Sequence, residues 1–274
     1  MSQTVKGLSK AETRLLSILS KGGKNIFSFE DAFRILGISR NHAWKFVHTL
    51  VDKGWLKTLE KGKYLIVPFE AGPEGQWSEE AFVVASYLIN PYAISYWSAL
   101  NHYGYTEQIP RTIFISTTKR RFKAEIEVLG VPYKFVTLKK HKFFGIEKTW
   151  IANKQINITD KEKTIVDCLD HPEYCGGIIE AAKGLYNGMA DNVDLDKITS
   201  CAQEMGNKAI FKRLGYLAEV LELPVGTHIA MWQERISAGY ALLDPTLGGT
   251  GKHNSRWNLR LNVAKRDLTS WRMY

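Results

Sequence analysis

The fold is decided by the stretch Ser28–Val67, which reads SFEDAFRILGISRNHAWKFVHTLVDKGWLKTLEKGKYLIV. Ala32, Phe33 and Leu36 form the apolar side of a short helix. Gly37 is the permissive residue expected where that helix ends. A longer helical pattern follows, and then two apolar runs joined by a charged turn. The stretch therefore predicts helix, turn, helix and hairpin in that order.

The second helix of this stretch has one apolar side and one polar side. Ser39 is placed to cap it, and Ala43, Val47 and Leu50 recur at helical spacing on its core face. Trp44 is expected on the flank, where it packs rather than contacting a ligand. The polar side and the exposed amino end carry Arg40, Asn41, His42, Lys45, His48 and Asp52.

The hairpin and an earlier helix complete a small domain. Trp55–Leu59 and Tyr64–Val67 read as strands around the tip Glu60-Lys61-Gly62-Lys63. Before them, Ser9-Lys10-Ala11-Glu12 has the spacing of a capping box and opens a helix. Its apolar residues, Leu15, Leu16, Ile18 and Leu19, are expected to cover the two central helices. Three helices and a hairpin describe a winged helix-turn-helix.

Charge separates two interpretations of this domain. A protein-interaction module could have the same elements. Residues 1–70, however, hold 12 Lys and Arg against 6 Asp and Glu, so 12 − 6 = +6 of the formal +9 lies in about a quarter of the chain. A basic domain with polar and cationic side chains on its second helix is typical of duplex-DNA binding. The candidate contacts are Ser39, Arg40, Asn41, His42, Lys45, His48, Lys61 and Lys63.

Length and composition indicate two domains. The 274 residues, 45% of them hydrophobic, can bury a sizeable core. Pro73, between two glycines, breaks the periodicity and predicts a linker at 71–78. It separates a winged helix-turn-helix domain at 1–70 from a larger domain at 79–274. Since neither a signal peptide nor an apolar run of about 18 residues is visible, a cytoplasmic protein is expected.

The larger domain reads as α+β, with several helices and a small, mostly antiparallel sheet. A strand at Thr112–Ser116 is expected to pair with segments near Lys123–Val128 and Tyr133–Leu138. Thr159-Asp160-Lys161-Glu162 reads as a second capping box. The remaining predictions are helices at Ser78–Ile89, Ile94–His102, Glu173–Tyr186, Leu195–Met205 and Lys208–Leu221, and strands within Trp150–Ile158 and at Arg256–Asn262.

Two basic runs could extend a DNA contact along the phosphate backbone. Beyond residue 70 the balance is only 25 − 22 = +3, so this domain is not globally basic. Such runs are usually solvated faces, and the alternative stays open, as it does for the basic tail 252–272. The residues concerned are Lys119, Arg120, Arg121, Lys139, Lys140 and Lys142.

Patterns that indicate catalysis or metal binding are scarce. Cys168, His171 and Cys175 lie within eight residues, but no second Cys/His pair completes a tetrahedral set. No Asp or Glu has Lys two places later, as a restriction-type nuclease requires. We therefore expect neither an enzyme, nor a metal site, nor a cofactor.

Several stretches resemble one protein family. Pro91–Thr106 (PYAISYWSALNHYGYT), the strand from Thr112, the helix Thr159–Leu169 and Arg256–Arg260 are similar to parts of AbiEi-type antitoxins of type IV toxin-antitoxin systems. The resemblance spans most of the chain. Lys119–Ile158 and the basic tail depart from the simplest members.

The resemblance implies a repressor that binds inverted repeats in its own promoter and opposes a nucleotidyltransferase toxin, without needing to contact it. Two alternatives stay open: a stand-alone regulator whose larger domain senses a ligand or a protein, and a metal-dependent nuclease. Because coiled-coil heptads are lacking, a monomer or weak dimer is expected.

Overall fold

The computed structural model describes residues 7–22, 25–67, 81–128, 130–151 and 154–273. The chain divides into two compact units. The first comprises Met1–Leu88 and Glu127–Val131, and the second Ile89–Ile126 and Pro132–Tyr274. The predicted linker, 71–78, and the start of the helix predicted at Ser78–Ile89 lie outside the described residues.

The first unit contains the predicted winged helix-turn-helix. One strand was missed: Ile26 pairs antiparallel with Leu65, which makes the wing three-stranded in the order β1-β3-β2. β1 has only three residues, which is too few to show the alternation of a strand in the sequence. The elements are α1 (Lys10–Lys21), β1 (Ile26–Ser28), α2 (Phe29–Leu36), α3 (Arg40–Asp52), β2 (Leu56–Glu60), β3 (Lys63–Ile66) and α4 (Ala81–Leu88).

The core of this unit lies between the helices and the wing. Leu15, Leu19, Val47 and Leu50 are almost fully buried in it. Ile18 was expected there too, but its side chain is 43% exposed. It lies one position before Leu19 on the helix and therefore falls outside the buried stripe.

The helix ends test the capping predictions. The box at Ser9 and Glu12 is confirmed, with the Ser9 N–H donating to Glu12 Oε2 at 2.7 Å. Gly37 ends α2 with a φ of 62°, as predicted. Ser39 occupies the N-cap position of α3 as predicted, but its side chain does not cap the helix, because its hydroxyl bonds the Nδ1 of His42 at 2.7 Å.

The second unit is α+β, and the main sheet, most of whose residues belong to this unit, has six strands in the order β6-β7-β5-β4-β9-β8. The antiparallel pairing expected between the strand from Thr112 and Tyr133–Leu138 is wrong, because β5 and β7 pair parallel. The β5–β7 and β4–β9 pairs are parallel, and the β4–β5 and β8–β9 pairs are antiparallel. The alternation of apolar and polar residues along a strand does not show whether the neighbouring strand runs parallel or antiparallel to it. The strands are β4 (Ala93–Ile94), β5 (Ile113–Thr117), β6 (Glu125–Val128), β7 (Val131–Thr137), β8 (Ile146–Ile151) and β9 (Lys154–Thr159).

Helices pack with this sheet, and a small sheet with the order β10-β12-β11 lies near the chain end. The helix at Leu195–Met205 has the predicted bounds. The one predicted from Glu173 begins only after Gly176 and Gly177, both with positive φ. The elements are α5 (Tyr96–His102), α6 (Lys161–Asp170), α7 (Ile178–Ala190), α8 (Leu195–Met205), α9 (Lys208–Val220), α10 (His228–Gln233), β10 (Ala241–Leu242), β11 (Lys252–Asn254) and β12 (Leu259–Leu261).

The second capping box was assigned to the wrong residues. Asp160, not Thr159, caps α6 by accepting the N–H of Lys163 at 2.8 Å. Glu162 instead accepts from the N–H of Asp194 at 3.1 Å and from Lys197 Nζ at 2.8 Å. Its partners are more than thirty residues away, so local spacing could not reveal them.

Candidate nucleic-acid interface

An open cleft of about 560 Å³ lies between α3, the start of α2 and the wing. We call it the α3–wing cleft. Aromatic, cationic and amide side chains share its walls, and all of them belong to the first unit. Its lining residues are Ser28, Phe29, Glu30, Arg40, Asn41, Trp44, His48, Thr58, Lys61, Gly62 and Tyr64.

The tip of the wing is fixed to the helical part of the unit. The backbone N–H of Phe29 donates to the carbonyl of Gly62 at 2.8 Å. Gly62 has a φ of 78°, a conformation that glycine adopts without strain. Lys61, which precedes it, is exposed. Lys61 lines the cleft together with residues of α3.

Arg40 lines the cleft, and its guanidinium has partners within the first unit. Its Nη2 lies 2.5 Å from Glu30 Oε1, and its guanidinium stands over the rings of Phe29 at 5.2 Å and Phe33 at 5.6 Å. The side chain nevertheless remains 63% exposed. Glu30 thus orients the guanidinium and offsets part of its charge.

Trp44 does not pack on the flank as expected. Its side chain is 53% exposed and lines the cleft. The ring centroids of Trp44 and His48 are 3.9 Å apart, and His48 meets the edge of Tyr64 at 6.5 Å. An indole on the exposed side of α3 was therefore missed. The i, i+4, i+8 spacing of Arg40, Trp44 and His48 could have placed it there.

The predicted contact residues of the first unit fall into two groups. Four of them line the cleft: Arg40, Asn41, His48 and Lys61. Lys45 is exposed on α3 outside the lining, and Lys63 is half-buried in β3. Ser39 and His42 bond each other at the start of α3. Besides Trp44, the lining contains Phe29, Glu30, Thr58 and Tyr64, which no sequence pattern indicated, because their positions depend on the packing of α2 and the wing against α3.

The profile of a family described as a transcriptional regulator, AbiEi antitoxin, matches residues 14–67. Residues 14–67 form an AbiEi-type domain. The match contains α2, α3 and both strands of the hairpin, hence the whole α3–wing cleft. The family is described as one of transcriptional regulators, and this supports a DNA-binding regulator.

A solved structure resembles the chain over nearly its full length. It is the crystal structure of RV2827C protein from Mycobacterium tuberculosis, with a TM-score of 0.67 over 100% of this chain and 98% of that chain. The two sequences are 15% identical, so the likeness concerns the fold alone. No curated protein matches the chain by sequence.

A part-buried ion pair anchors α3 within the first unit. Lys53, which follows the helix, places its Nζ 2.8 Å from Glu12 Oε1 and 2.7 Å from Glu12 Oε2. Burial alone would raise the pKa of Glu12, but the Lys53 ammonium and the hydrogen bonds from Ser9 outweigh it and lower that pKa. The pair ties the carboxyl end of α3 to the start of α1.

The basic runs of the second unit contain both exposed and engaged cations. Lys119, Arg120, Lys139 and Lys140 are exposed. The Arg121 guanidinium lies 4.2 Å from the centroid of the Phe135 ring. Lys142 pairs with Asp170 at 3.0 Å. In the basic tail, Arg256 pairs with Glu219 at 2.6 Å, and Arg272 donates to the carbonyl of Leu221 at 3.2 Å.

The cysteines have structural surroundings. Cys168 and Cys175 are fully buried, and the Cys175 thiol lies 3.4 Å from the carbonyl oxygen of Pro172. Burial raises the pKa of the Cys168 thiol. His171 contacts Glu173 instead, at 2.8 Å.

Across the described parts of the chain, no three His, Cys, Asp or Glu side chains are grouped to hold a metal ion. The same parts contain no helix long and apolar enough to cross a membrane.

Proposed function

We propose that the chain is a cytoplasmic, DNA-binding antitoxin of a type IV toxin-antitoxin system. It represses its own operon by binding inverted repeats and opposes a nucleotidyltransferase toxin without catalysing a reaction. The α3–wing cleft carries this proposal, because Arg40, Asn41 and Lys61 line one opening in a basic domain. The AbiEi-type match to residues 14–67 supports it.

In the proposed complex, α3 lies in the major groove and the wing follows the backbone. Asn41 and His48 reach base edges, while Arg40 and Lys45 reach bases or phosphates near the start and middle of the helix. Ser39 and His42 lie where the amino end of α3 approaches a phosphate. Lys61 and Lys63 hold the backbone or the minor groove. Inverted repeats are occupied by two monomers or a weak dimer.

Further phosphate contacts are proposed for the exposed cations of the second unit, Lys119, Arg120, Lys139 and Lys140. Arg121 and Lys142 are weaker candidates, because each already has a partner inside that unit. Charge reversal at Arg120 should lower affinity equally on all duplexes and reduce the salt slope. An unchanged affinity and slope would remove these residues from the interface.

The proposal is tested by fluorescence anisotropy of the full chain. The probes are a duplex from the region upstream of its own gene and a scrambled duplex of equal length, each at two salt concentrations. Tight, selective binding that weakens with salt is expected. Equal or absent binding to both duplexes would contradict the proposal.

The antitoxin role requires a second experiment. The neighbouring gene, if it encodes a nucleotidyltransferase, is expressed alone and together with this chain. Growth arrest by the first and its relief by the second are expected. Selective DNA binding without relief would leave a stand-alone regulator, whose larger unit senses a ligand or a protein.

A further inference from the structure

Trp44 is unusual on the exposed side of α3. Its neighbours one turn away on that side, Asn41 and His48, are polar, whereas its own side chain is large, apolar and 53% exposed. Single exposed apolar residues are common and need no explanation by themselves. This one lines the α3–wing cleft, where the proposed function places DNA.

The Trp44 ring is also held in place. It packs against His48 in a tilted arrangement, with centroids 3.9 Å apart and planes inclined at 35°. His48 in turn meets the edge of Tyr64, whose side chain is 4% exposed. Since Tyr64 belongs to the core, this chain of rings limits the positions open to the indole. An apolar surface that is already ordered loses little conformational entropy on binding.

We infer that Trp44 recognises the 5-methyl group of thymine in the major groove. The inference rests on the proposed function. Thymine is the base whose major-groove edge presents an apolar group, and a side chain reads it by apolar contact. Asn41, one turn earlier, carries an amide of the kind that pairs with adenine. The two side chains together select A·T base pairs in each half-site.

Replacing thymine by uracil removes only that methyl group and keeps sequence and charge. The upstream duplex is therefore amplified once with thymidine triphosphate and once with deoxyuridine triphosphate, and the full chain is titrated on both. The wild-type chain should bind the uracil duplex about four-fold more weakly for each methyl group contacted. Trp44→Ala and Trp44→Gln should bind the thymine duplex more weakly and bring the ratio of the two affinities close to one.

Trp150→Ala is the matched control. Trp150 lies on β8 in the second unit, and its side chain is 68% exposed. This variant should keep the wild-type preference for thymine. Because Trp44 is exposed, both of its variants should unfold at the wild-type denaturant concentration, which separates a lost contact from a lost fold.

Each outcome is decisive. A wild-type ratio of one, or a wild-type ratio retained by Trp44→Ala and Trp44→Gln, overturns the thymine contact and leaves the DNA-binding proposal standing. Equal loss of preference in Trp150→Ala also overturns it. Failure of the wild-type chain to select the thymine duplex over its scrambled form overturns both.

Discussion

The two units of the chain use their charges differently. In the first unit, cations such as Lys45 and Lys61 are exposed on α3 and at the wing tip. In the second unit, Lys163 and Arg213 are 1% and 5% exposed and find their partners inside the fold. A charge count along the sequence therefore indicates a ligand surface only where the cations remain outside.

Arg213 illustrates the second case. Its guanidinium donates to the carbonyl oxygens of Leu169 at 2.6 Å, Leu243 at 3.1 Å and Leu242 at 3.1 Å. These bonds join the end of α6 to the segment around β10. Burial lowers the pKa of Arg213, and the nearby carboxylate of Asp170 opposes that effect. The Arg213 guanidinium therefore stabilises the fold, and its burial leaves it inaccessible to a ligand.

Lys163 and Asp167 form a buried ion pair along one face of α6. Burial raises the pKa of Asp167 and outweighs the opposing effect of the Lys163 ammonium. The Lys163 ammonium also stands 4.9 Å from the centroid of the Phe144 ring. Asp167 Oδ2 is buried and has no hydrogen-bond partner within the described ranges. Each of the two buried charges is therefore stabilised by the opposite charge of its partner.

The largest expected effect comes from breaking that pair. Lys163→Met leaves the Asp167 carboxylate buried without a counter-charge and should lower the free energy of unfolding by about 3–5 kcal/mol. Urea unfolding of the full chain measures the loss. The double variant Lys163→Met/Asp167→Leu should recover most of it. A loss below about 1 kcal/mol in the single variant would show that the pair contributes little.

Removing a polar group from α3 should act on binding instead of stability. Asn41→Ala should weaken binding to the upstream duplex by about 1–3 kcal/mol and leave scrambled duplex nearly unchanged, because base contacts specify sequence. Lys45→Ala is tested in parallel by anisotropy. An equal loss on both duplexes would assign the residue to phosphate positioning rather than base recognition.

The ion pair between Glu12 and Lys53 allows a pH experiment on the first unit. The pKa of Glu12 is lower in the folded chain than in the unfolded chain. The unfolded state therefore binds more protons as pH falls through this window. The stabilisation is complete above the unfolded pKa, near 4.3, and is lost as pH falls through the folded value.

Glu12→Gln should lower the free energy of unfolding by about 1–2 kcal/mol at pH 7 and by less as the pH falls. Urea unfolding of wild type and variant at pH 7, 5 and 3.5 measures the difference. A difference that stays constant over this range would contradict the role of the Glu12 carboxylate.

The smallest effect is expected at the wing. Lys61→Ala should weaken binding to all duplexes by less than about 1 kcal/mol and reduce the salt slope by about one, because a phosphate contact releases counterions without reading sequence. Lys21→Ala is the control: it removes the same charge from the end of α1, outside the cleft lining. Equal slopes for both variants would assign the effect of Lys61 to net charge alone.

Short-range sequence patterns predicted many helices and strands, but few of the segments with which these elements pair or pack. The capping box of Ser9 and Glu12 and the bounds Leu195–Met205 follow from short-range spacing, and both are found. The strand Ile26–Ser28 was missed because it needs β3 to become a strand. The parallel pairing of β5 with β7 was missed because ladder direction depends on the path of the intervening chain.

In the candidate interface, too, some features follow from local sequence and others from tertiary contacts. The polar side of α3 and the basic turn at Lys61 could be read from helical period and turn composition. The pairing of Arg40 with Glu30 joins residues ten positions apart on two different helices. The exposure of Trp44 depends on which neighbours cover α3. Neither could be derived from spacing within one helix.

The sequence by itself determined the winged helix-turn-helix, the α+β class of the larger unit and the concentration of positive charge in residues 1–70. These follow from periodicity, caps and composition, which act over a few residues. Only the tertiary structure decided which cations remain exposed and which, like Lys163 and Arg213, are buried with partners. Burial depends on packing between segments distant in the sequence, and local pattern does not encode that packing.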